Sequence, residues 1–507
     1  MDNRKVAQKM MKQNTDLIEN LIENSKLYQL GEQLGQEADE KWREYTEVNE
    51  KIIKIQEEYQ KEIKDLKIHK SRLEAQIGHL EKRFASLFSD AHEKMADLTL
   101  DGFIASKMLH AAAQWEAEEA KNQREELLAK MDSLSIQDKS PEELIDYLCQ
   151  TIQLVRPTYS KNTILNIAIC LTQGFLTVFF GEPGCGKTSI CHIFGEVLGL
   201  NQMAKYLDSS EEEADCVKRY VPVSVEKGWT SKRDFVGYFN PLSKTFDKSN
   251  RRIYEALYQL DREKKQGNSR FPYLILLDEA NLSPMEYYWS DFMKLCDESN
   301  THCQVNLGED FVFGIPETLR FFATLNHDHT TETLSPRLVD RAWIISLPYQ
   351  DDFPEQNALE QIPLKEIQLI SWETLRQAFF PANEECVLSA CSQKVYAMIL
   401  AKLKEKRFFV SPRIHKAIKR YWATASKWFE DETGHAEIVA LDYAIAQRIL
   451  PKITGHGEKF KRWLEELEAL CREYQLEKCE EMLKNMMACG EYQQMQYYHF
   501  FCSGGMK

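Results

Sequence analysis

At 507 residues the chain is too long for one ordinary core, and its 43% hydrophobic and 11% aromatic content suits two to four packed globular domains. A formal net charge of −15 and a mean hydropathy of −0.48 exclude an exterior that is basic throughout and coats nucleic acid; a local basic pore or groove stays open. Thirteen cysteines without CxxC spacing argue against a disulfide framework or a zinc site and fit reduced thiols. The start, Met1 to Lys5, lacks the apolar core of a signal peptide. The most apolar stretch, Leu165 to Phe180, is interrupted by Thr172, Gln173 and Gly174 and is too short to span a bilayer. It reads as a helix end running into a buried strand, and a cytoplasmic protein with no membrane contact is expected.

Residues 1–137 read as an all-α region. From Trp42 the apolar positions step by three and four through Tyr45, Val48, Ile52, Ile55 and Tyr59. After a four-residue step they resume as Ile63, Leu66, Leu73, Ile77, Leu80, Phe84 and Leu87, with Lys70 in one seam slot. That pattern predicts a coiled coil with a stutter, and a second helix over about Asp101 to Leu134 could fold back on it. The alternative is one exposed helix held by intrahelical ion pairs.

Ser140-Pro141-Glu142-Glu143 marks a helix start and the entry to a second domain, 138–350. There short β-rich runs alternate with helical segments, the signature of a mostly parallel sheet covered by helices. Residues 351–507 read as a C-terminal region that becomes helical beyond Pro381. The second domain opens with the strand-like run Phe175 to Phe180, followed by Gly181-Glu-Pro183-Gly184-Cys185-Gly186-Lys187-Thr188, with Ser189 next. This fits G-x-x-x-x-G-K-[ST] in the strand–loop–helix setting the motif needs. Glycines let backbone N–H groups converge on phosphate oxygens at a helix N-terminus, Lys187 reaches the β- and γ-phosphates, and Thr188 offers its hydroxyl to Mg²⁺.

A second apolar run, Tyr273 to Leu277, ends in Asp278-Glu279. The pair reads as a metal-supporting carboxylate (Asp278) and a general base for water (Glu279) at the C-terminal edge of a sheet. A third run, Leu319 to Leu325, ends in Asn326, which either senses the γ-phosphate or is an ordinary turn asparagine. In Leu334-Ser-Pro-Arg337-Leu-Val-Asp340-Arg341-Ala342, the arginines read either as fingers for a neighbouring subunit's site or as surface ion pairs.

These motifs together resemble the McrB-like branch of AAA+ ATPases, close to the MoxR and dynein-related group. The likeness is carried by Gly181 to Thr188, by Val223 to Pro241 around Trp229, and by Leu277 to Tyr288 around Asn281. Thr324-Leu-Asn326, Leu338 to Ala342 and Ala440 to Gly455 add to it, so that it spans about residues 140 to 490. The fold it implies is an α/β P-loop NTPase with a C-terminal α-helical lid, here behind an N-terminal coiled-coil region. It also implies a homo-oligomeric ring, hexameric, with nucleotide at each subunit boundary. Asn326 then becomes sensor 1, Arg341 the finger with Arg337 its helper, and Arg413 of Ser411-Pro412-Arg413 the lid arginine reading the γ-phosphate of its own subunit. McrB-like proteins drive a separate nuclease subunit in defence against foreign DNA, and this chain has no nuclease centre of its own to the eye. Where McrB carries Met-Asn-x-x-Asp-Arg-Ser and uses GTP, this chain reads Leu325-Asn326-His-Asp328-His-Thr-Thr331, which favours ATP. The DNA-reading domain of McrB is replaced here by the coiled coil.

Between Lys218 and Arg252 lie Arg219, Lys227, Lys232, Arg233, Lys244, Lys248 and Arg251, interleaved with Trp229, Phe235, Tyr238 and Phe239. The segment reads as a pore contact for DNA or RNA. The opposing reading makes the aromatics packing residues and the charges solvated. The expected function is thus a nucleotide-driven ring motor that activates a nuclease. Its alternatives are a MoxR-like chaperone that remodels protein complexes and a nucleotide-set assembly switch.

Overall fold

The structure is a computed structural model. It describes residues 3–23, 71, 75, 78, 118–240, 245–296, 303–308, 311–326, 334–347, 362, 367–382, 385–431, 434–492 and 496–501. The chain divides into two units, Met1–Glu116 and Ala117–Lys507. In the first, α1 (Asn3–Glu23) is an amphipathic helix whose Val6, Met10, Leu17 and Leu21 are exposed. The heptad stretch Trp42 to Leu87 lies outside the described residues except Ser71, Ala75 and Gly78, each helical.

The second unit begins with α2, described over 118–132, which buries Leu127, Leu128 and Met131. Ser140 then starts α3 (Pro141–Val155) through a reciprocal cap: Glu143 N donates to Ser140 Oγ and Ser140 N to Glu143 Oε2, at 3.2 and 2.8 Å. In α4 (Lys161–Gln173) every residue from Ile164 onward is buried, and the helix runs through Gly174 into β1 (Leu176–Phe180). There follow α5 (Lys187–Val197), α6 (Met203–Leu207), α7 (Glu211–Ala214) and β2 (Tyr220–Ser224). An insertion comes next, α8 (Lys232–Phe235) and the hairpin of β3 (Tyr238–Asn240) with β4 (Thr245–Asp247), before α9 (Arg251–Gln266) and β5 (Tyr273–Asp278). The short helices α10 (Met285–Tyr288) and α11 (Ser290–Met293) lead to a second hairpin, β6 (Gln304–Asn306) with β7 (Val312–Gly314). The chain then forms β8 (Leu319–Leu325), α12 (Pro336–Val339) and β9 (Trp343–Ser346).

The central sheet has the order β2-β5-β8-β1-β9 and every pairing in it is parallel. Its strands are runs of Leu, Ile, Val and Phe buried on both faces, as a sheet covered by helices requires. Parallel register brings the C-terminal ends to one edge, with Ser224 opposite Asp278, Leu277 opposite Ala323, and Phe180 opposite both Leu325 and Ser346. The chain steps inward from β2 to β8 and then crosses β1 to reach β9. The loops after β1, β5 and β8 therefore leave side by side around a crevice of the kind where open α/β sheets bind ligands.

The remainder is helical: α13 (Trp372–Phe379), α14 (Ala390–Glu405), α15 (Pro412–Trp428), α16 (Ala436–Arg448), α17 (Glu458–Glu473) and α18 (Glu477–Tyr492). One small antiparallel pair, β10 (Thr454–His456) with β11 (Tyr497–His499), closes it. These helices join the same unit as the sheet: α13 and α15 pack on α4, and α16 packs on β9. Arg448 fixes that contact, lying over the Trp343 ring and donating to the carbonyls of Ala342 and Asp340. Eleven cysteines among the described residues are free thiols. Among the described residues no helix is long and apolar enough to cross a membrane.

Arg219, before β2, has a fully buried side chain; it pairs with Glu263 of α9 at 2.6 and 3.1 Å and donates to the carbonyls of Phe271 and Pro272. Glu263→Leu leaves a buried guanidinium without its counter-charge and should lower stability in urea titration by about 3–5 kcal/mol; adding Arg219→Met should recover most of it. Asp442 of α16 accepts from Lys478 N (2.6 Å) and Cys479 N (2.9 Å) at the start of α18, and burial pushes its carboxyl up to about 6. A raised carboxylate pKa means the folded state takes up a proton that the unfolded chain still lacks, so this group favours folding more as pH falls through 6 toward 4. The melting temperature of the parent protein relative to Asp442→Asn should therefore rise between pH 7 and pH 5.

Candidate active site

The loop between β1 and α5 is shaped by its glycines. A Cβ on Gly181 would stand 2.6 Å from the Leu347 carbonyl oxygen and 2.8 Å from Cys185 Sγ, so only glycine lets β1 turn this closely past the end of β9. Gly186 takes the left-handed conformation (φ 85°) at the cap of α5, which turns the loop's N–H groups toward the helix N-terminus. Pro183 and Gly184 form the exposed tip, and Cys185 is buried beneath it. Lys187 is 5% exposed and its ammonium is folded into the loop, donating to Gly181 O and Glu182 O at 2.9 Å each. Burial lowers its pKa, against the pull of Cys185, Asp278 and Glu279. The two carbonyls hold the ammonium inside the loop.

The carboxylates meet this loop from β5. Asp278 Oδ1 accepts from Thr188 Oγ1 at 2.7 Å and from Thr324 Oγ1 of β8 at 2.6 Å. The same Thr324 oxygen accepts from Glu279 N at 2.9 Å. Glu279 sits at φ 54°, ψ 45°, a left-handed conformation costing a non-glycine residue about 1–3 kcal/mol. Its Oε1 accepts from Asn326 Nδ2 at 2.7 Å. Lys187, Thr188, Asp278, Glu279 and Asn326 thus come together at one sheet edge.

Three further residues here carried no sequence assignment. Thr324 bridges both acids. Asn281 bonds the backbone of Asn326. Arg156, 6% exposed at the end of α3, donates to Ser189 Oγ at 2.7 Å. Thr324 and Asn281 lie inside recognisable motif segments, whereas Arg156 follows a helix with no pattern to announce it. Beside the loop, a cavity of about 220 Å³ is lined by Tyr159, Thr163, Ser346, Leu347, Tyr443 and Lys478.

The expected arginines are elsewhere. Arg341 precedes β9, and its Nη1 donates to Arg337 O at 3.1 Å, with Arg337 exposed on α12. Arg413 starts α15 and pairs with Asp340 at 3.2 Å; Asp340 also accepts from Lys452 (2.8 Å) and Ser411. Burial opposes ionisation of Asp340, but Lys452, Ser411 and Arg448 outweigh it and hold the carboxyl below its usual range. Arg341 and Arg413 line a cavity of about 640 Å³ with Lys416 and Arg420, at the beginnings of β1, β8 and β9. That is the edge opposite the loop, so Arg413 does not approach the phosphate loop of its own chain, contrary to the expectation for it.

The basic segment is also rearranged. Arg219 is in the core, Lys218 pairs with Asp215, Arg251 with Glu255, and Lys232 with Asp291 while donating to Asn306 O. Phe235 is buried, Trp229 packs on it and on Tyr288, and Phe239 packs on Phe311. Arg233 lies over Tyr238 and Lys248 over Tyr254; Lys244 is outside the described residues. Phe235 also packs on Phe292 of α11, so Trp229 and Phe235 join the insertion to α10 and α11.

The family model "Domain of unknown function (DUF8727)" matches residues 370–495, within the helical region and clear of the loop and carboxylates. No curated protein matches the chain. Among solved structures, it is similar to an ATPase candidate from Cytophaga hutchinsonii at 16% identity and a TM-score of 0.34, over 61% of this chain and 84% of that one.

The two loop glycines separate shape from strain. Around Gly184 (φ 83°) a Cβ meets nothing within 4 Å, so Gly184→Ala should cost only about 1–2 kcal/mol of backbone strain. Gly181→Ala must displace backbone, and should lower the melting temperature far more than Gly184→Ala does.

Proposed function

We propose that this chain is an AAA+ nucleoside triphosphatase of the McrB-like branch, with ATP favoured over GTP, acting as a ring motor that drives a separate nuclease subunit in defence. The observation that carries the reading is the meeting of the phosphate loop, the Asp278–Glu279 pair and Asn326 at one sheet edge. Lys187 exchanges the carbonyls of Gly181 and Glu182 for β- and γ-phosphate oxygens. Glu279, oriented by Asn326, takes a proton from the attacking water and aligns it with the γ-phosphorus. The Thr188 hydroxyl and the Asp278 carboxylate are an all-oxygen pair of the kind Mg²⁺ accepts beside phosphates, and the bound ion supplies charge neutralisation of the β- and γ-oxygens. The cavity beside Tyr159 and Leu347 seats the nucleobase.

The cations at the opposite edge support the ring. Since they stand away from their own loop, Arg341 serves the loop of a neighbouring copy, with Arg337 and Arg413 beside it, and stabilises charge on the transferring phosphoryl group. The burial of Arg219 and the packing of Trp229 and Phe235 favour a second reading for the client: a protein complex remodelled in the manner of MoxR-like chaperones, not a nucleic acid threaded past a basic pore.

Lys187→Ala should abolish ATP hydrolysis, and Glu279→Gln should bind nucleotide while hydrolysing at least a hundredfold more slowly. Arg341→Ala should lose about three orders of magnitude in kcat. Mixing Arg341→Ala with Lys187→Ala should restore hydrolysis, because each supplies what the other lacks across a shared boundary. A mixture as inactive as its components would overturn the trans arrangement, and a parent protein no faster than Lys187→Ala would overturn the enzyme reading.

A further inference from the structure

Asn281 occupies the single 3₁₀ turn Ala280–Leu282 that follows Glu279, and it is 7% exposed. Its side-chain amide faces the main chain of Asn326: Nδ2 donates to Asn326 O at 2.8 Å, and Oδ1 accepts from Asn326 N at 3.2 Å. A primary amide matches a peptide unit donor for acceptor, so Asn281 grips one residue by both of its backbone groups. The last paired residues of β5 and β8 are Leu277 and Ala323. The amide thus supplies a rung beyond the end of the ladder, where the strands no longer bond each other.

What that rung holds is the residue whose side chain orients the catalytic base. Asn326 Nδ2 donates to Glu279 Oε1, and Glu279 lies two positions before Asn281. The three contacts form a closed circuit from Glu279 through the turn to Asn281, across to the Asn326 backbone, and back along its side chain to Glu279. Thr324 pins the near side through Glu279 N, and Leu282 N closes the turn on Glu279 O at 3.0 Å. Glu279 keeps its left-handed backbone within this circuit.

We propose that Asn281 is a positioning residue for nucleotide hydrolysis: by clamping the backbone of Asn326 it sets the hydrogen bond that aims the Glu279 carboxylate. The proposal rests on the hydrolase reading above. It requires an amide at this position. Asn281→Asp cannot donate to Asn326 O and sets two oxygens against each other, and Asn281→Ala leaves both backbone groups of Asn326 without the clamp.

The test is a kinetic cycle on the full chain with Mg-ATP, comparing the parent, Asn281→Ala, Asn281→Asp, Asn326→Ala and Asn281→Ala/Asn326→Ala. Hydrogen exchange at the Asn326 amide and thermal melting are followed in each. The expected result is a fall of about 10–100-fold in kcat for both Asn281 variants, with KM within about threefold. In the Asn326→Ala background the added Asn281→Ala should change kcat by less than about twofold, because the clamp acts through a side chain already removed. The Asn326 amide should exchange at least tenfold faster in Asn281→Ala. Multiplicative losses in the double variant, an unchanged kcat, or a loss of affinity that follows the melting temperature would each overturn the proposal; Asn281→Asp, matching the original in size, provides the comparison if the alanine variant folds poorly. Hydrolysis absent from the parent would sink the hydrolase reading by itself, and an unaccelerated Asn326 amide would sink the clamp by itself.

Discussion

One carboxylate oxygen organises the functional edge of this protein. Asp278 Oδ1 accepts two hydroxyl hydrogen bonds, from Thr188 at the start of α5 and from Thr324 near the end of β8. Hydroxyls donating to an ionised carboxylate make short, strong bonds, and here they join three elements distant in sequence at a single atom. The loop that leads into Thr188 is thereby referenced to the end of β5. Thr324 passes the reference on to the Glu279 backbone, and Asn326, two residues further along, passes it to the Glu279 side chain. Loosening Asp278 would free the loop, Glu279 and Asn326 together.

A second carboxylate plays a comparable part at the other edge. Asp340 gathers Arg413, Lys452 and Ser411 from the helical region, while Arg448 bonds the carbonyls on either side of Arg341 and covers Trp343. Burial pulls Arg448 down to about 10, which leaves it charged at neutral pH. The helices therefore reach the sheet through the start of β9, and any tilt of α15 and α16 is felt where Arg341 emerges. Between the two edges run strands of mostly apolar side chains, a spacer that separates the edge of the Gly181–Thr188 loop and the carboxylates from a cation-rich edge.

Much of the α/β part was legible because its signals are local. The loop, the acids that follow β5, Asn326 after β8 and the Ser140 cap each declare themselves within about eight residues, and a glycine or a carboxylate there has few other reasons to be present. Arg219 shows the limit: beside Lys218 it reads as one more surface cation, yet its partner Glu263 comes from a helix forty-four positions away and takes it into the core. Arg413 falls at the start of a C-terminal helix, but which sheet edge that helix start faces depends on how α15 crosses α4. Asn281 was noticed as part of a motif without a role, since its two partners belong to another strand. The heptad pattern of residues 42–87 lies largely outside the described residues, so the coiled coil remains an expectation from periodicity.

The position of β1 in the sheet also sets the order in which this molecule can be made. Both neighbours of β1 are late arrivals, β8 ending at Leu325 and β9 at Ser346, whereas β1 itself ends at Phe180. A ribosome adding about 5–20 residues per second needs about 8–30 s to travel that distance. During it the run Leu176–Phe180, apolar and without strand partners, has no sheet to enter. Contacts this distant in sequence also make for slow closure once the chain is complete. Of the strands in the central sheet, β1 thus waits longest for its partners and is the one longest exposed to wrong pairing.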